Sequence, residues 1–264
     1  MDMSKRVEIV SSFYDSIEED LRLGESWQGQ LEYFTTMNYI RRFAKDGDKI
    51  LEIGAGTGRY SISLAKEGFE VTAVELVESN LEVLKKNSSG LKNIQSFRGD
   101  ALDLGRFEDN TFDITLVFGP MYHLYEENDV HRALEEAIRV TKKDGVIFVA
   151  FLSAYSILFD NYLQGNLADG IEENFTEDYK VKHFEEQLFT GYDIVEFEQL
   201  FEEMGVKHVT TAAMDSVLEL AEGRKDFAMS EEDFQLFVQY HLATCEKREL
   251  LGCSSHLLYV CRKE

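Results

Sequence analysis

Short apolar runs alternate with longer amphipathic stretches through the middle of the chain. The apolar runs at 49–53, 70–74, 94–97, 112–118 and 146–151 are rich in β-branched residues and have the length of buried strands. Helical spacing of apolar residues recurs between them at 60–67, 80–87 and 129–142. Strands that alternate with helices predict the α/β class, in which a mostly parallel sheet carries helices on both faces.

The pattern changes on either side of this core at 49–151. Residues 1–48 are predicted to form a helical arm that packs on the sheet edge or roofs a pocket. Its apolar positions recur at helical spacing, at Tyr33, Met37, Ile40 and Ala44. Residues 152–192 are irregular and aromatic, which predicts an inserted lid over a substrate after strand five. Its aromatic residues are Tyr155, Phe159, Tyr162, Phe175, Tyr179, Phe184 and Phe189.

The last part of the chain, 193–264, returns to the α/β pattern. Helices are predicted at 194–204 and 231–246, and strands at 207–212 and 256–261. Neither an internal repeat nor a linker rich in Pro, Gly or Ser divides the sequence. The prediction is therefore one domain, 1–264, whose sheet has seven strands.

Net charge and composition indicate which classes of partner to expect. The chain has 50 acidic and 27 basic residues and a formal net charge of -23, which would repel a phosphate backbone. We therefore expect a small, neutral or basic substrate and no nucleic-acid partner. The sequence shows neither a signal peptide nor an apolar run long enough for a membrane span, so no membrane partner and a cytoplasmic location are predicted. Oligomeric state is left open.

The pattern of cysteines indicates neither a disulfide framework nor a zinc site. Cys245, Cys253 and Cys261 are odd in number and lack the close spacing of a zinc site. Reduced thiols and no metal are expected.

A glycine-rich turn follows the first predicted strand. Gly54, Gly56 and Gly58 lie between that strand and a helix, where a ligand can approach bare backbone and the free N–H groups of the helix start. A dinucleotide fingerprint needs its third glycine at the sixth position of the turn, which is Arg59 here. The spacing therefore weakens a pyrophosphate-binding interpretation.

Two acidic residues follow the next strands. Glu75 ends strand two about 20 residues past the turn, where a carboxylate can accept hydrogen bonds from both ribose hydroxyls. Asp100 follows strand three, where it could accept from an adenine amino group while the Ala101 N–H donates to a ring nitrogen.

These residues together resemble the class I S-adenosylmethionine-dependent methyltransferases, which have a Rossmann-like fold. The resemblance covers about 49–151. It implies that the turn from Glu52 to Gly58 wraps the methionine part of S-adenosylmethionine, which is released as S-adenosylhomocysteine. The implied cofactor-binding residues are Glu52, Gly54, Ala55, Gly56, Gly58, Glu75, Leu76, Asp100, Ala101 and Phe118.

The segment after strand four is similar to a bacterial branch that acts mostly on small molecules. The matching residues are Gly119-Pro120-Met121-Tyr122-His123-Leu124, a Gly-Pro-x-Tyr-His-Leu pattern. If the acceptor loses a proton, His123 is the candidate base and Tyr122 the candidate positioning residue. A structural role for His123 is an equally good interpretation of the same pattern.

The expected activity is methyl transfer to an O, N, S or C nucleophile of a small molecule. One alternative is an NAD(P)-dependent oxidoreductase, which shares the fold and the acid after strand two. A second is a module that binds S-adenosylmethionine without turnover. A nucleic-acid amino-methyltransferase typically has an Asn/Asp-Pro-Pro-aromatic run after strand four, which this chain lacks, whereas protein substrates stay open.

Overall fold

The computed structural model describes residues 3–16, 20, 22–163, 165–184 and 187–264. One sheet organises the chain, with strand order β3-β2-β1-β4-β5-β8-β7. Strands β1 to β5 are parallel, and β8 runs antiparallel to both of its neighbours. The strand bounds are β1 Lys49–Ile53, β2 Glu70–Glu75, β3 Ile94–Arg98, β4 Phe112–Val117, β5 Thr141–Ser153, β6 Gly191–Tyr192, β7 Val206–Ala213 and β8 His256–Lys263.

The predicted α/β class and mostly parallel sheet are confirmed, with one strand more than the seven expected. The additional strand, β6, has two residues and pairs with β5 through Leu152 and Gly191. Two residues are too few to show a period in sequence. Strand β5 also begins earlier than the predicted run at 146–151, at Thr141. The polar residues Lys142 to Asp144 hide this first part of the strand from a pattern of apolar residues. The helix predicted at 129–142 consequently ends at Val140.

Helices cover the sheet and extend from the amino-terminal arm. Their bounds are α1 Met3–Tyr14, α2 Arg22–Glu25, α3 Trp27–Phe43, α4 Arg59–Lys66, α5 Glu78–Ser88, α6 Pro120–His123, α7 Glu127–Val140, α8 Ala154–Tyr162, α9 Leu167–Asn174, α10 Ile194–Gln199, α11 Leu218–Glu222, α12 Glu231–Thr244 and α13 Arg248–Leu251. Among these described helices, none combines the length and apolar character that crossing a bilayer requires.

The arm packs as its helical spacing predicts. Met37 and Ile40 of α3 are fully buried. Tyr33 stacks on Tyr60 of α4 with ring centroids 5.6 Å apart, and its hydroxyl donates to Ser63 Oγ. This attaches α3 to the helix that follows the glycine turn.

The segment after β5 is more regular than its sequence indicates. It contains α8 and α9, which pack closely at Gly170, where a Cβ would lie 2.3 Å from Tyr162 Cγ. Leu152 and Ser153 belong to β5 rather than to an insertion. Helix α10 is shorter than predicted and ends at Gln199.

Candidate active site

The glycine turn between β1 and α4 is left-handed at all three glycines. Gly54, Gly56 and Gly58 have φ of 80°, 54° and 92°. A Cβ on Gly54 would lie 2.1 Å from the Phe118 carbonyl oxygen, and one on Gly58 would lie 2.7 Å from Leu84 Cγ. Contacts inside the protein therefore require glycine at these two positions, in addition to any ligand that approaches the turn.

Glu75 ties this turn to the loop after β2. Its Oε2 accepts from the Gly56 N–H at 2.7 Å, and its Oε1 accepts from the Val77 N–H at 2.8 Å. The residue is only 5% exposed. The buried carboxylate thus connects the glycine turn with the loop that follows β2.

Asp100, after β3, contacts the amino-terminal helix. Arg6 of α1 forms an ion pair with its Oδ2, and Oδ1 accepts from the Leu102 N–H at 3.1 Å. Ala101, which is only 7% exposed, lies beside this carboxylate, and Arg6 holds the carboxylate in place.

One cavity of about 110 Å³ lies where these loops meet, at the carboxyl ends of the parallel strands. All but one of the predicted site residues line it. Those residues are Glu52, Gly54, Ala55, Gly56, Glu75, Leu76, Asp100, Ala101, Phe118, Tyr122 and His123. Gly58 is outside the lining and packs against Leu84.

The helical arm was expected to pack on the sheet edge or to roof a pocket, but none of its residues was named for this cavity from the sequence. Arg6, Val10 and Tyr14 of α1 line it. They are four residues apart, so they share one face of a helix. The spacing of four residues was visible in the sequence, but it does not indicate which ligand the helix face would contact.

Glu52 lies deep in the cavity wall. Burial raises the pKa of its carboxyl to about 8, and the charge of Glu75 adds to this, while the Ser61 hydroxyl that donates to Glu52 opposes it. At neutral pH the carboxyl is therefore largely protonated.

His123 lies on α6 at the end of β4. Its Nδ1 is 2.6 Å from the Leu188 carbonyl oxygen, which can only accept, so Nδ1 carries the proton. Nε2 then accepts from the Tyr14 hydroxyl at 3.1 Å. Burial lowers the pKa of His123 to about 4, with a contribution from Arg6 against the opposing Leu188 hydrogen bond. The imidazole is neutral and engaged at both nitrogens.

A second cavity of about 640 Å³ adjoins the first, and Tyr14 and Tyr122 line both. Of the seven aromatic residues singled out in the predicted lid, Tyr162, Phe184 and Phe189 line this cavity. Tyr155 and Phe175 instead stack on each other, and Tyr179 is 70% exposed. The carboxylates of Asp160, Glu173 and Glu219 also line the second cavity.

His256 lies in the wall of the second cavity beside Tyr122, with ring centroids 5.8 Å apart. Its Nδ1 is 2.7 Å from Oδ2 of Asp215, which is fully buried. Burial opposes protonation of His256, but the charges of Glu32, Asp215 and Glu219 outweigh it and raise the pKa to about 9. His256 is therefore a buried imidazolium paired with Asp215.

No metal was expected, yet Asp215, Glu219 and His256 offer ligand atoms within 4.8 Å of one another. The Asp215 carboxylate already accepts hydrogen bonds from three groups of the protein. These are the Ser255 N–H at 3.0 Å, Gln28 Nε2 at 2.8 Å and His256 Nδ1. These bonds join the start of β8 to the arm, which gives Asp215 a structural function.

Residues 51–149 match the family model of the Methyltransferase domain. The demethylmenaquinone methyltransferase of Clavibacter sepedonicus is 34% identical over 145 residues, 54% of this chain and 55% of that protein. The demethylmenaquinone methyltransferase of Staphylococcus aureus (strain JH9) is 37% identical over 107 residues, 39% of this chain and 42% of that protein. The chain thus spans about half the length of the curated relatives it matches.

Solved structures share the fold. A phosphoethanolamine N-methyltransferase 1 of Haemonchus contortus, in complex with phosphoethanolamine and S-adenosylhomocysteine, superposes with a TM-score of 0.62 at 15% identity. The alignment covers 99% of this chain and 50% of that one. The match over 51–149 contains the glycine turn, Glu75 and Asp100. These residues therefore lie in the part of the chain that matches a methyltransferase domain.

Proposed function

We propose that the whole chain transfers the methyl group of S-adenosylmethionine to a small-molecule acceptor. One observation carries the proposal: the cavity lined by the loops of the methyltransferase domain adjoins a larger, aromatic cavity, and Tyr14 and Tyr122 line both. A methyl donor in the first cavity and an acceptor in the second would meet between these two tyrosines.

The residues at the first cavity fit the cofactor. We assign the ribose to Glu75 and the adenine to Asp100 and the N–H of Ala101, because all three residues line this cavity. The turn from Glu52 to Gly58 would hold the methionine part, with Ala55, Leu76 and Phe118 in contact with the nucleoside. S-adenosylmethionine supplies a methyl group that is already activated on a sulfonium.

The chain itself positions the reactants and excludes water. Placing two reactants in line is worth roughly 7 kcal/mol or more when the geometry is right. Helix α1 covers both cavities, through Arg6 on Asp100 and through Phe13, which meets Phe189 edge to face at 5.1 Å. The reaction needs a base only when the nucleophilic atom of the methyl acceptor carries a proton.

His123 fits a positioning function better than that of a base. A group whose pKa lies near 4 holds an accepted proton weakly at neutral pH, and its Nε2 already accepts from Tyr14. We therefore assign to His123 the orientation of the Tyr14 hydroxyl, and to Tyr122 the wall shared by the two cavities.

The acceptor is proposed from this chain rather than from its relatives. The matches to the demethylmenaquinone methyltransferases cover 54% and 39% of the chain, so the substrate in their name is not assigned to this chain. The proposed membership in the Gly-Pro-x-Tyr-His-Leu branch rests on α6, which brings Tyr122 to both cavities and His123 to the first. The net charge of -23 favours a small molecule over nucleic acid, and three free cysteines fit a reducing cytoplasm.

Binding and turnover test the proposal separately. In calorimetry, S-adenosylmethionine and S-adenosylhomocysteine should bind and NADH should not. Formation of S-adenosylhomocysteine in the presence of a panel of small-molecule nucleophiles should then exceed the rate without acceptor. Binding without turnover on any acceptor would favour a non-catalytic module, and absence of binding would exclude the function altogether.

A further inference from the structure

Three carboxylates, which accept hydrogen bonds and cannot donate while ionised, line the second cavity. Asp160 of α8, Glu173 of α9 and Glu219 of α11 line it, and they come from three separate helices. The available donors are partly used within the wall, because Ser255 Oγ donates to Asp160 at 3.0 Å and the Tyr162 hydroxyl donates to Glu173 at 2.9 Å. No Lys or Arg lines this cavity among the described residues.

Gln187 is an independent sign of a ligand. It lines the same cavity and is only 8% exposed, yet its side-chain oxygen has no hydrogen-bond partner within the described ranges. A buried acceptor that is left unpaired destabilises the folded protein. A ligand with N–H groups in the cavity would supply the missing donor.

Among the described residues of the wall, His256 is the cationic side chain, and its single charge serves two carboxylates. Its Nδ1 is 2.7 Å from Asp215 Oδ2 and 4.0 Å from Glu219 Oε2, so Asp160 and Glu173 have no ion pair within the described part of the chain. Burial raises the pKa values of Asp160 and Glu219, and the charge of Asp215 raises both further, whereas His256 lowers them. A bound cation would relieve this repulsion.

We propose that the second cavity binds a small organic cation, namely an ammonium group carried by the methyl acceptor; this inference rests on the proposed function. The ammonium would lie against Asp160, Glu219 and the side-chain oxygen of Gln187. Rings on the walls, among them Phe184 and Phe189, accommodate the apolar body of the ligand and offer faces that attract cations. The methyl-accepting atom would lie toward Tyr14 and Tyr122, which also line the cofactor cavity.

The test compares an amine with a neutral molecule of the same shape. Phenethylamine and 2-phenylethanol are titrated calorimetrically into the protein with and without saturating S-adenosylhomocysteine, and the pair butylamine and butanol repeats the comparison. Each amine should bind at least about tenfold more tightly than its alcohol, because charge-assisted hydrogen bonds exceed neutral ones by that order. The preference should weaken with added salt, since the carboxylates are partly exposed.

Charge-removing variants locate the effect. Asp160→Asn and Glu219→Gln should each lower amine affinity about threefold to tenfold and leave alcohol affinity unchanged. The matched control is Glu172→Gln, which removes an exposed carboxylate beside Glu173 but outside the cavity lining and should change neither affinity.

Several results would overturn the inference. These are equal binding of amine and alcohol, absence of amine binding at millimolar concentration, or an equal loss in the Glu172→Gln control. Displacement of the amine by Mg²⁺ or Mn²⁺ alone would assign the cavity to a metal held by Glu219 and His256 instead. Failure of S-adenosylhomocysteine to bind would exclude the proposed function, while the titration without it still tests the cavity.

Discussion

Glu75 is the residue on which the cofactor assignment depends most directly. Glu75→Gln keeps the size of the side chain but replaces one acceptor oxygen by an NH₂ group that cannot accept. The charge is lost as well, so every remaining hydrogen bond to the side chain becomes a neutral one. At present Oε1 and Oε2 accept from Val77 and Gly56.

The expected loss follows from these contacts. A hydrogen bond to a charged group contributes about 1.5–3 kcal/mol, against about 1 kcal/mol for a neutral one. Replacing one ribose contact and weakening the other should therefore lower S-adenosylhomocysteine affinity by roughly tenfold to a hundredfold. The loosened link between Gly56 and Val77 should also lower the free energy of unfolding by about 1–3 kcal/mol.

Isothermal titration with S-adenosylhomocysteine measures the first effect and urea unfolding the second. The matched control is Glu78→Gln, three residues further on, whose side chain is 49% exposed and 3.4 Å from Arg98; its affinity should stay within about twofold of the parent. Glu75→Asp, which retains the charge, replaces the glutamine variant if that one does not fold. A folded Glu75→Gln protein with unchanged affinity would refute the ribose assignment.

Three further changes test the wall of the cofactor cavity. Gly54→Ala, whose Cβ would meet the Phe118 carbonyl at 2.1 Å, should lower the melting temperature far more than Gly68→Ala, where φ is also positive but nothing lies within 4 Å; equal losses would contradict the packing argument. Because the pKa of Glu52 is raised from 4.5 to about 8, the folded protein keeps the carboxyl proton in a pH range where the unfolded chain has lost it. The stability that this group contributes is therefore lost as pH rises from about 4.5 to 8. Glu52→Gln should remove that slope, at most about 1.4 kcal/mol per pH unit in urea unfolding, and an unchanged slope would count against it. His123 has the opposite sign: its pKa is lowered to about 4, so its contribution is present above 6.5 and lost as pH falls toward 4. His123→Gln should flatten that acid limb of stability, whereas His131→Gln, on the partly exposed face of α7, should not.

The cofactor half of the site was predictable because it is local in sequence. A strand, a left-handed turn and a helix are consecutive in 49–66, so residue types and spacing carry the geometry. Glu75 ends β2 and Asp100 follows the end of β3 in the same parallel sheet, and the carboxyl ends of parallel strands meet at one edge. Ten of the residues assigned to the cofactor were named from sequence, and nine of them line one cavity.

The acceptor half was not predictable because it has no local pattern. Ser255 and Asp160 are 95 residues apart, and they meet because β8 pairs antiparallel with β5. Asp215 and His256 are 41 residues apart. Hydrophobic periodicity reports which face of an element is buried, and it contains no information on which distant element covers that face.

Helix α1 shows why the two halves belong to one site. Its residues reach the first cavity through Arg6, which forms an ion pair with Asp100, and the second cavity through Phe13 and Tyr14. Under the proposed assignment of adenine to Asp100, a bound cofactor would share the Asp100 carboxylate with Arg6 or displace Arg6 from it. Either change would act on the helix that also carries Phe13 and Tyr14, so α1 physically connects the two cavities.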